Sequence, residues 1–445
     1  MRRFVVVAFG LLLAVACQEM PAEVDEESFV EWVEDTAAVL HSDDWPQAAA
    51  DDLAVLERCA AAQVVMLGEP DHYIAEKYDY RLVVIRYLVQ RGFRWIGMEM
   101  GYSDGFRVDN YLETGDPAYL DQVALYGYRG DARPDRDDTP QAFTGLTDTP
   151  FQQGFVDAER SFLVSLHTVS ETLDNRLHWF GFDIDPFPGG GYTDLEQLLA
   201  PHKSSPEVTA VVTRLARVPN ETRLEEAYRL DALNGYVEEN TRDLEKVLGT
   251  DTVVEVGRIV GNLIESLRFR DLAYEEPFGS RWMDGLRYRE AALIDRIDRH
   301  WPPPNDARVI LMGHNFHLSK SGSDLRAGSI AEDGPTLGYP SFGSGVAERM
   351  DTCTIWMLYD HGTSANALAA DPYFEVASDS ERVEHLFRDV GPALVIDLTD
   401  DDDRAEWLDR ETNFIANGGP ASGPLRSQAD VIFFVAEVHA VGMSG

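Results

Sequence analysis

Val-Val-Met-Leu-Gly-Glu-Pro-Asp-His, residues Val64–His72, is an apolar run of strand length that stops at a glycine and continues with a carboxylate and an imidazole. The two polar residues, Glu69 and His72, are three positions apart, so a turn of helix beginning there would place them side by side. Polar groups that end a buried strand point into a cleft. This stretch therefore predicts one half of a functional site.

A second stretch repeats the pattern far downstream. Val309–Gly313 is another apolar run that stops at a glycine, and His314 and His317 follow it with the same spacing of three. In open α/β sheets ligands bind outside the carboxyl ends of the strands, which is where both sets of polar residues would lie. We expect the two segments to form halves of one site.

The chain that follows the first segment predicts an α/β fold. Ile74–Gln90 has an apolar stripe at helical spacing, and Arg94–Met100 is a second short strand with Glu99 near its end. Strand, helix and strand over this length form a βαβ unit, which favours a parallel sheet. Glu99 should then lie beside Glu69, one strand over. We predict a mostly parallel central sheet flanked by helices.

A third strand, Leu177–Phe182, ends at Asp183, and a long helical region follows from about residue 194 to 299. This region is too long to be one crossover helix, and we expect a helical subdomain that covers the cleft. Ser319–Gly345 is rich in Gly, Ser and Pro, which predicts a mobile loop bordering the site. Nothing divides the rest of the chain further, so residues 29–440 are predicted to form one domain.

Composition excludes several classes of partner. The chain has 445 residues, of which 44% are hydrophobic, so it can bury a large core. Its formal net charge is -40, from 78 acidic against 38 basic residues. Such a surface repels the phosphates of nucleic acids and anionic lipid headgroups. We expect no nucleic-acid partner.

The amino terminus predicts export. Two arginines precede an apolar run, Phe4–Ala16, that is too short to span a bilayer and is typical of a signal peptide, here residues 1–16. Small residues directly before Cys17 resemble a bacterial lipoprotein signal, in which this cysteine is lipidated; ordinary signal cleavage remains the alternative. Residues 17–28 would be a tether. We expect a bacterial cell-envelope protein, held at a membrane through Cys17 or secreted.

Two cysteines remain in the mature chain after Cys17, namely Cys59 and Cys353. In an oxidising envelope they could form a disulfide, and two buried free thiols fit the sequence equally well. Neither lies near a His and Asp set in the sequence, so a cysteine nucleophile is not favoured.

Two chemistries fit the candidate site. In the first, His72 is a general base that takes a proton from water, Glu69 orients its ring, and His314, His317 and Arg81 bind the carbonyl oxygen and its developing charge. In the second, Glu69, His72, His314 and His317 are ligands of one or two divalent metals whose bound water is the nucleophile. No Gly-x-Ser-x-Gly is present, so a serine nucleophile is less favoured.

These motifs resemble those of the erythromycin esterases. The first family motif is a Gly-Glu followed by two residues and a His, which Gly68–His72 matches. The other matching positions are Arg81 in the next helix, Gly97–Glu99 and Gly181–Asp183 at two strand ends, His314–His317, and Ser341–Gly343. The resemblance covers about residues 60–435, nearly the whole mature chain.

The resemblance implies an α/β core with added helices and ester hydrolysis, which in the type case opens the lactone ring of a macrolide. It implies His72 as the base that activates water, and it leaves metal dependence open because members differ in this respect. The residues that it implies for the surrounding site are Glu69, Glu99, Arg81, His314 and His317. Of the matching positions, Arg81 and Asp183 are expected to bind substrate.

Departures from the family pattern argue against assuming a macrolide substrate. Many members begin the helix before the last motif with an Arg-Asp pair, whereas Arg287 is followed here by Tyr288. Asp71 and Tyr73 flank the first histidine, where many members have Thr or Ala before it and Gly after it.

The sequence therefore predicts a hydrolase that activates water to cleave a small-molecule ester or lactone. One alternative is a metal-dependent hydrolase that uses the same Glu/His cluster. The other is a lipoprotein that binds a metal or haem without turnover.

Overall fold

A computed structural model describes most of the chain. The described residues are 26–40, 53–123, 150–185, 189–216, 218–273, 281–327, 336–366, 369, 371–416 and 419–443. The predicted signal peptide and Cys17 lie outside them. None of the described helices is both long enough and apolar enough to cross a membrane.

The described strands form a nine-stranded sheet and a separate three-stranded sheet. They are β1 (Ala38–Val39), β2 (Val64–Glu69), β3 (Trp95–Gly101), β4 (His178–Asp183), β5 (Val309–His314), β6 (Arg326–Ala327), β7 (Thr352–Ala365), β8 (Tyr373–Val376), β9 (Ala393–Asp397), β10 (Glu411–Ala416), β11 (Gly419–Pro424) and β12 (Val431–Val438). The large sheet has the order β1-β9-β12-β7-β2-β5-β3-β4, with β8 paired to β7, and the small one the order β10-β11-β6.

The strands that carry the candidate site are paired in parallel. β2 pairs with β5 and β7, and β3 pairs with β5 and β4, all in parallel. β12 pairs with β7 in parallel. The remaining pairs of the large sheet, β9 with β12, β1 with β9 and β8 with β7, are antiparallel. One prediction is therefore wrong: Glu99 does not lie one strand over from Glu69. The crossover after β2 skips a position, and β5 from much later in the chain fills it.

Helices flank this sheet of parallel and antiparallel strands, so the fold is α/β. They are α1 (Glu26–Thr36), α2 (Glu57–Ala61), α3 (Glu76–Val89), α4 (Tyr102–Thr114), α5 (Pro150–Glu171), α6 (Gly189–Leu199), α7 (Pro206–Leu215), α8 (Arg223–Glu239), α9 (Thr241–Leu248), α10 (Thr250–Ala273), α11 (Trp282–His300), α12 (Phe342–Ala347), α13 (Val383–Val390) and α14 (Leu425–Gln428). The six helices α6–α11 occupy the stretch predicted to be helical, and α11 leads into β5.

Burial on both faces explains why β2 and β5 are apolar throughout. Every residue of both strands is buried. Successive side chains of a strand point to opposite faces, so Leu67 of β2 belongs to the same buried cluster as Ile85 of α3, while Met66 belongs to the cluster of Phe182 and Leu293. Because both faces are covered, polar side chains of these strands can reach a cleft only at the strand end.

The segment Ser319–Gly345, predicted to be a mobile loop, contains regular structure. It includes the 3₁₀ helix Gly322–Asp324, strand β6 and the first turn of α12, while residues 328–335 lie outside the described part. Ser341 caps α12 by accepting a hydrogen bond from the amide of Ser344 at 3.2 Å.

Cys59 and Cys353 form a disulfide that joins α2 to β7. The sequence left open whether they pair. Both side chains are buried. The cross-link connects positions separated by 294 residues, so it ties the first part of the domain to β7 in the middle of the large sheet.

One buried carboxyl group makes the stability of the fold depend on pH. Glu384 of α13 is fully buried and accepts a hydrogen bond from the amide of Ile415 at 2.7 Å. Burial raises the pKa of Glu384 from 4.5 to about 7, although that amide and Arg382 oppose the change. The folded state therefore holds this proton more tightly than the unfolded chain does. The associated stability is complete below pH 4.5 and is lost as the pH rises through 7.

We expect Glu384→Gln to remove this dependence. The free energy of unfolding of the variant, minus that of the wild type, should rise by about 3 kcal/mol between pH 5 and pH 8, as measured by urea denaturation. Glu381→Gln, on an exposed residue just before α13, is the matched control and should leave the difference flat. A flat difference for Glu384→Gln as well would contradict the raised pKa.

Candidate active site

The ends of three neighbouring strands meet at the candidate site. β2, β5 and β3 lie side by side, and the register places Glu69 directly opposite His314. The amide of His314 donates to Glu99 Oε2 at 2.7 Å, and the amide of Asn315 donates to the backbone oxygen of Glu69 at 2.8 Å. The end of β5 is thus held from both sides. Only glycine fits at Gly68, because a Cβ there would lie 2.2 Å from Asn315 Oδ1.

Glu69 and His72 form the pair that the sequence predicted. His72 Nδ1 lies 2.6 Å from Glu69 Oε1. Glu69 is fully buried, while the side chain of His72 is 19% exposed. When Nδ1 carries the proton and donates it to the carboxylate, Nε2 holds the lone pair. The arrangement therefore fixes the tautomer that can accept a proton from the cleft.

Two buried cations hold Glu69 ionised. Arg81 Nη2 lies 2.7 Å and Lys77 Nζ lies 3.5 Å from Glu69 Oε2, and neither side chain is exposed. Burial raises the pKa of Glu69, but Arg81, Lys77 and the hydrogen bond from His72 outweigh it, so the pKa falls well below its ordinary value. The carboxylate is charged at neutral pH.

These contacts change the role predicted for Arg81. A residue that is 0% exposed does not touch substrate in this conformation, so Arg81 acts on Glu69 and not on a carbonyl oxygen. Lys77 was missed by the sequence analysis. It also donates to the backbone oxygen of His72 and lies 3.7 Å from the buried Glu159, so it holds the turn that carries His72 in place. A lysine in the first turn of a helix is usually exposed to solvent, and nothing in the sequence around Lys77 indicates that it is buried.

A second ionic cluster lies at the ends of β3 and β4, centred on Arg289 of α11. Arg289 Nη2 donates to Glu99 Oε1 at 2.7 Å, and Arg289 Nε donates to Asp183 Oδ1 at 2.9 Å. Its Nη1 lies 2.9 Å from His317 Nε2. Asp183, predicted to bind substrate, is buried and occupied by this arginine. The structure thus makes Asp183 an anchor for Arg289.

His317 lies between two carboxylates of this cluster. Its Nδ1 contacts Glu290, and its Nε2 lies 3.1 Å from Glu99 Oε1. Burial disfavours the charged ring, but Glu290 and Glu99 outweigh it and raise the pKa of His317. Burial likewise opposes ionisation of Glu99, and His317 and Arg289 nevertheless hold its pKa well below the ordinary range. Both groups favour their charged forms.

Arg289 and Glu290 were missed by the sequence analysis. The family pattern of an Arg-Asp pair pointed to Arg287, whose side chain is 52% exposed and pairs with Asp284 at 3.6 Å on the surface. The Arg-acid pair that reaches the site is two residues further on, and Glu290 also accepts the amide of Phe342 at 2.6 Å. The sequence could have indicated this pair as an arginine followed by an acidic residue. However, α11 contains several other charged residues from which the pair cannot be distinguished by sequence alone.

His314 lies between the two clusters and is neutral. Burial lowers its pKa to about 3, with a further contribution from His72. Its Nε2 lies 3.2 Å from the backbone oxygen of Pro70, and its Nδ1 accepts the amide of Phe316 at 3.2 Å. Its ring centroid is 5.3 Å from that of His72 and 6.3 Å from that of His317. His314 is neutral and almost fully buried, and both of its nitrogens are engaged, so it separates the two outer histidines and is not placed to bind a carbonyl oxygen.

A family model described as erythromycin esterase matches residues 88–438, most of the chain. The chain belongs to the erythromycin esterase family. The match begins after Glu69, His72 and Arg81, so it includes the Glu99, Asp183 and His314–His317 strand ends but not the first motif. Membership suggests a hydrolase.

Solved structures share the fold of this family member. A Bacillus cereus protein superposes with a TM-score of 0.68 at 15% identity, covering 95% of this chain and 100% of its own. A succinoglycan biosynthesis protein gives 0.68 at 16% identity, covering 94% and 98%. A mutant of the erythromycin esterase EreC in its open conformation gives 0.64 at 17% identity, covering 92% and 98%. No curated protein sequence matches the chain.

The residues considered as metal ligands do not fit that role in this family member. The set was Glu69, His72, His314 and His317. The ring nitrogens of His314 and His317 face protein partners, and Glu69 is bound by Arg81 and His72. Across the described part of the chain, no three or more His, Cys, Asp or Glu side chains are placed to hold a metal ion. These residues do not form a metal centre.

Proposed function

We propose that this protein is a hydrolase in which His72 activates water to cleave an ester or lactone. The observation that carries the proposal is the contact of 2.6 Å between His72 Nδ1 and the buried, ionised Glu69. It orients the ring and stabilises the imidazolium that forms when Nε2 takes a proton. A histidine held only for structural reasons would not need a carboxylate that two buried cations keep charged.

The reaction follows from the two clusters. His72 Nε2 takes a proton from water as the water oxygen attacks the carbonyl carbon, and the carbonyl oxygen becomes an oxyanion. Arg289 and His317, whose side chains are 13% and 17% exposed, carry positive charge at the cleft and would stabilise that oxyanion. The intermediate collapses by breaking the bond from carbon to the leaving oxygen, which takes its proton from His72. The products are a carboxylic acid and an alcohol, joined in one molecule when the substrate is a lactone.

The substrate class is an ester or lactone, and a macrolide is one member of it. The family description and the EreC structure support that choice. The departure at Asp71 does not alter the surface of the cleft, because its side chain is buried and bound by the hydroxyl of Ser364 and the amide of Tyr73. It therefore tells against a macrolide less than the sequence suggested.

A panel of esters and lactones, including p-nitrophenyl esters, γ-butyrolactone and macrolides, tests the proposal. Purified protein is assayed with and without EDTA. We expect turnover of at least one substrate that survives chelation, because no metal ligand set is formed. Turnover that EDTA abolishes and added Zn²⁺ restores would overturn the metal-free mechanism, and no turnover on the whole panel would favour a binding protein.

We also propose that the protein is exported and anchored in the cell envelope through a lipid on Cys17. The signal-like residues 1–16 and the small residues before Cys17 support it. The Cys59–Cys353 disulfide supports it as well, because disulfides persist mainly in oxidising compartments outside the cytosol.

A further inference from the structure

A cavity lies beside the candidate active site. It has a volume of about 600 Å³ and is lined by residues of α8, α9, α10, α11 and β4. Ligand pockets are usually about 300–1,000 Å³, so the cavity is of the right size for a small molecule. Neither His72, His317 nor Arg289 lines it. It is therefore distinct from the place where the proposed chemistry occurs.

Two glycines in the middle of α10 keep this cavity open. Gly257 and Gly261 are one turn apart, and both line the cavity. A Cβ added at either position would meet no atom within 4 Å, and neither glycine has a positive φ. Glycine inside a helix costs about 0.5–1 kcal/mol relative to alanine. Since neither packing nor backbone conformation requires these glycines, the space itself is the feature that they preserve.

One wall of the cavity is aromatic and is shared with the candidate site. Phe182 and Phe342 stack with ring centroids 4.4 Å apart, and Trp301 stands beside Phe180 at 5.5 Å. All four rings line the cavity. They offer a surface for an apolar ligand body.

Arg296 supplies a cation to the same cavity. Its Nη1 donates to the backbone oxygen of Asp183 at 2.8 Å, and its Nη2 donates to Asn262 Oδ1 at 2.6 Å. Both acceptors are neutral. The carboxylates of Asp183, Asp185 and Glu265 act on Arg296 electrostatically, but none forms an ion pair with it within the described part of the chain. A guanidinium without a paired carboxylate matches a ligand carboxylate. Acidic side chains of α8, α9, α10 and α11 also line the cavity, and those of Asp231 and Asp295 are paired with Arg268 and Arg299, so an anion is favoured only beside Arg296.

We propose that this cavity binds a small amphipathic carboxylate, with its acid group on Arg296 and its apolar body against Phe182, Phe342 and Trp301. Binding requires no turnover, so it stands or falls separately from the hydrolase proposal. The link through Asp183 gives the site a route to the catalytic cluster, because Arg296 holds its backbone oxygen and Arg289 holds its carboxylate.

Titration calorimetry with decanoate tests the proposal on the full chain and on its His72→Ala variant. We expect saturable binding to both, and weaker binding of 1-decanol and of decyltrimethylammonium. Gly261→Leu should fill the cavity and weaken decanoate binding at least tenfold while raising the melting temperature. Gly235→Leu is the matched control, because Gly235 is also a helical glycine with open space around it but does not line the cavity.

Arg296→Met should weaken decanoate binding at least tenfold and leave the binding of 1-decanol unchanged. Gly261→Leu keeps the test decisive if Arg296→Met fails to fold. The proposal is overturned if decanoate does not bind saturably, if it binds Gly261→Leu as tightly as wild type, or if the cationic probe binds as tightly as the anion.

Discussion

Replacing His72 with alanine is expected to lower kcat/KM for the best ester or lactone substrate by about 10²–10⁴-fold, the usual contribution of a positioned general base. The loss should fall on kcat, because His72 acts on water in the transition state and not on the bound substrate. Initial rates over a range of substrate concentrations separate the two parameters. The fold should survive, because the imidazole is partly exposed and lies at the strand end, outside the apolar core.

The control for this variant is a histidine remote from the strand ends. His202, in the short helix Ala200–His202, is suitable, and His202→Ala should keep the wild-type rate. Circular dichroism and melting temperature verify that His72→Ala is folded. If folded His72→Ala retains more than a tenth of the activity, His72 is not the general base, and the base would have to be sought in the cluster around Arg289.

The strand ends were predictable because burial leaves a strong mark in the sequence. β2 and β5 are wholly apolar until a glycine and a polar residue, and this pattern located Glu69, His72 and His314 correctly at one edge of one sheet. Strand existence depends on local composition, which a single sequence records. Strand order does not, so the insertion of β5 between β2 and β3 was missed.

The helical residues of the site were not predictable for a related reason. Lys77 and Arg289 stand in helices among other charges, and only the approach of distant strands makes them buried partners of Glu69 and Glu99. A charged residue is the same in the sequence whether the fold buries it or leaves it in water. The roles assigned to Arg81 and Asp183 changed for this reason. The sequence predicted that these residues belong to the site, but it did not predict the charged partners that surround them.

The two ionic clusters differ in their ratio of carboxylates to cations. Around Glu69 a single carboxylate faces two buried cations, so its charge is fixed and the histidine beside it receives a firm hydrogen-bond acceptor. Around Arg289 several carboxylates surround two cationic groups, and these groups reach the cleft. The proposed base thus has a carboxylate behind it, and the cleft has two cationic groups, each paired with carboxylates, that would face an oxyanion. That polarity suits attack by water on a carbonyl group.

Arg81→Met is expected to lower the free energy of unfolding by about 3–5 kcal/mol, as measured by urea denaturation, because it removes one partner of a fully buried ion pair. Methionine retains most of the apolar stem of arginine, so the loss reports mainly the uncompensated charge on Glu69. Lys77, at 3.5 Å, compensates only part of it. The pKa of Glu69 should rise in the variant, which also weakens its hold on His72.

A double-variant cycle separates the charge from the packing. If the cost comes from a stranded carboxylate, Glu69→Gln should add little or restore stability in the Arg81→Met background, giving a coupling energy of about 0.5–3 kcal/mol. Lys246→Met, at an exposed i,i+3 pair with Asp243, is the control and should have no measurable effect because solvent screens that pair. Additive losses in the cycle would show that Arg81 stabilises the fold by packing alone. Glu69 would then need another explanation for remaining charged beside the base.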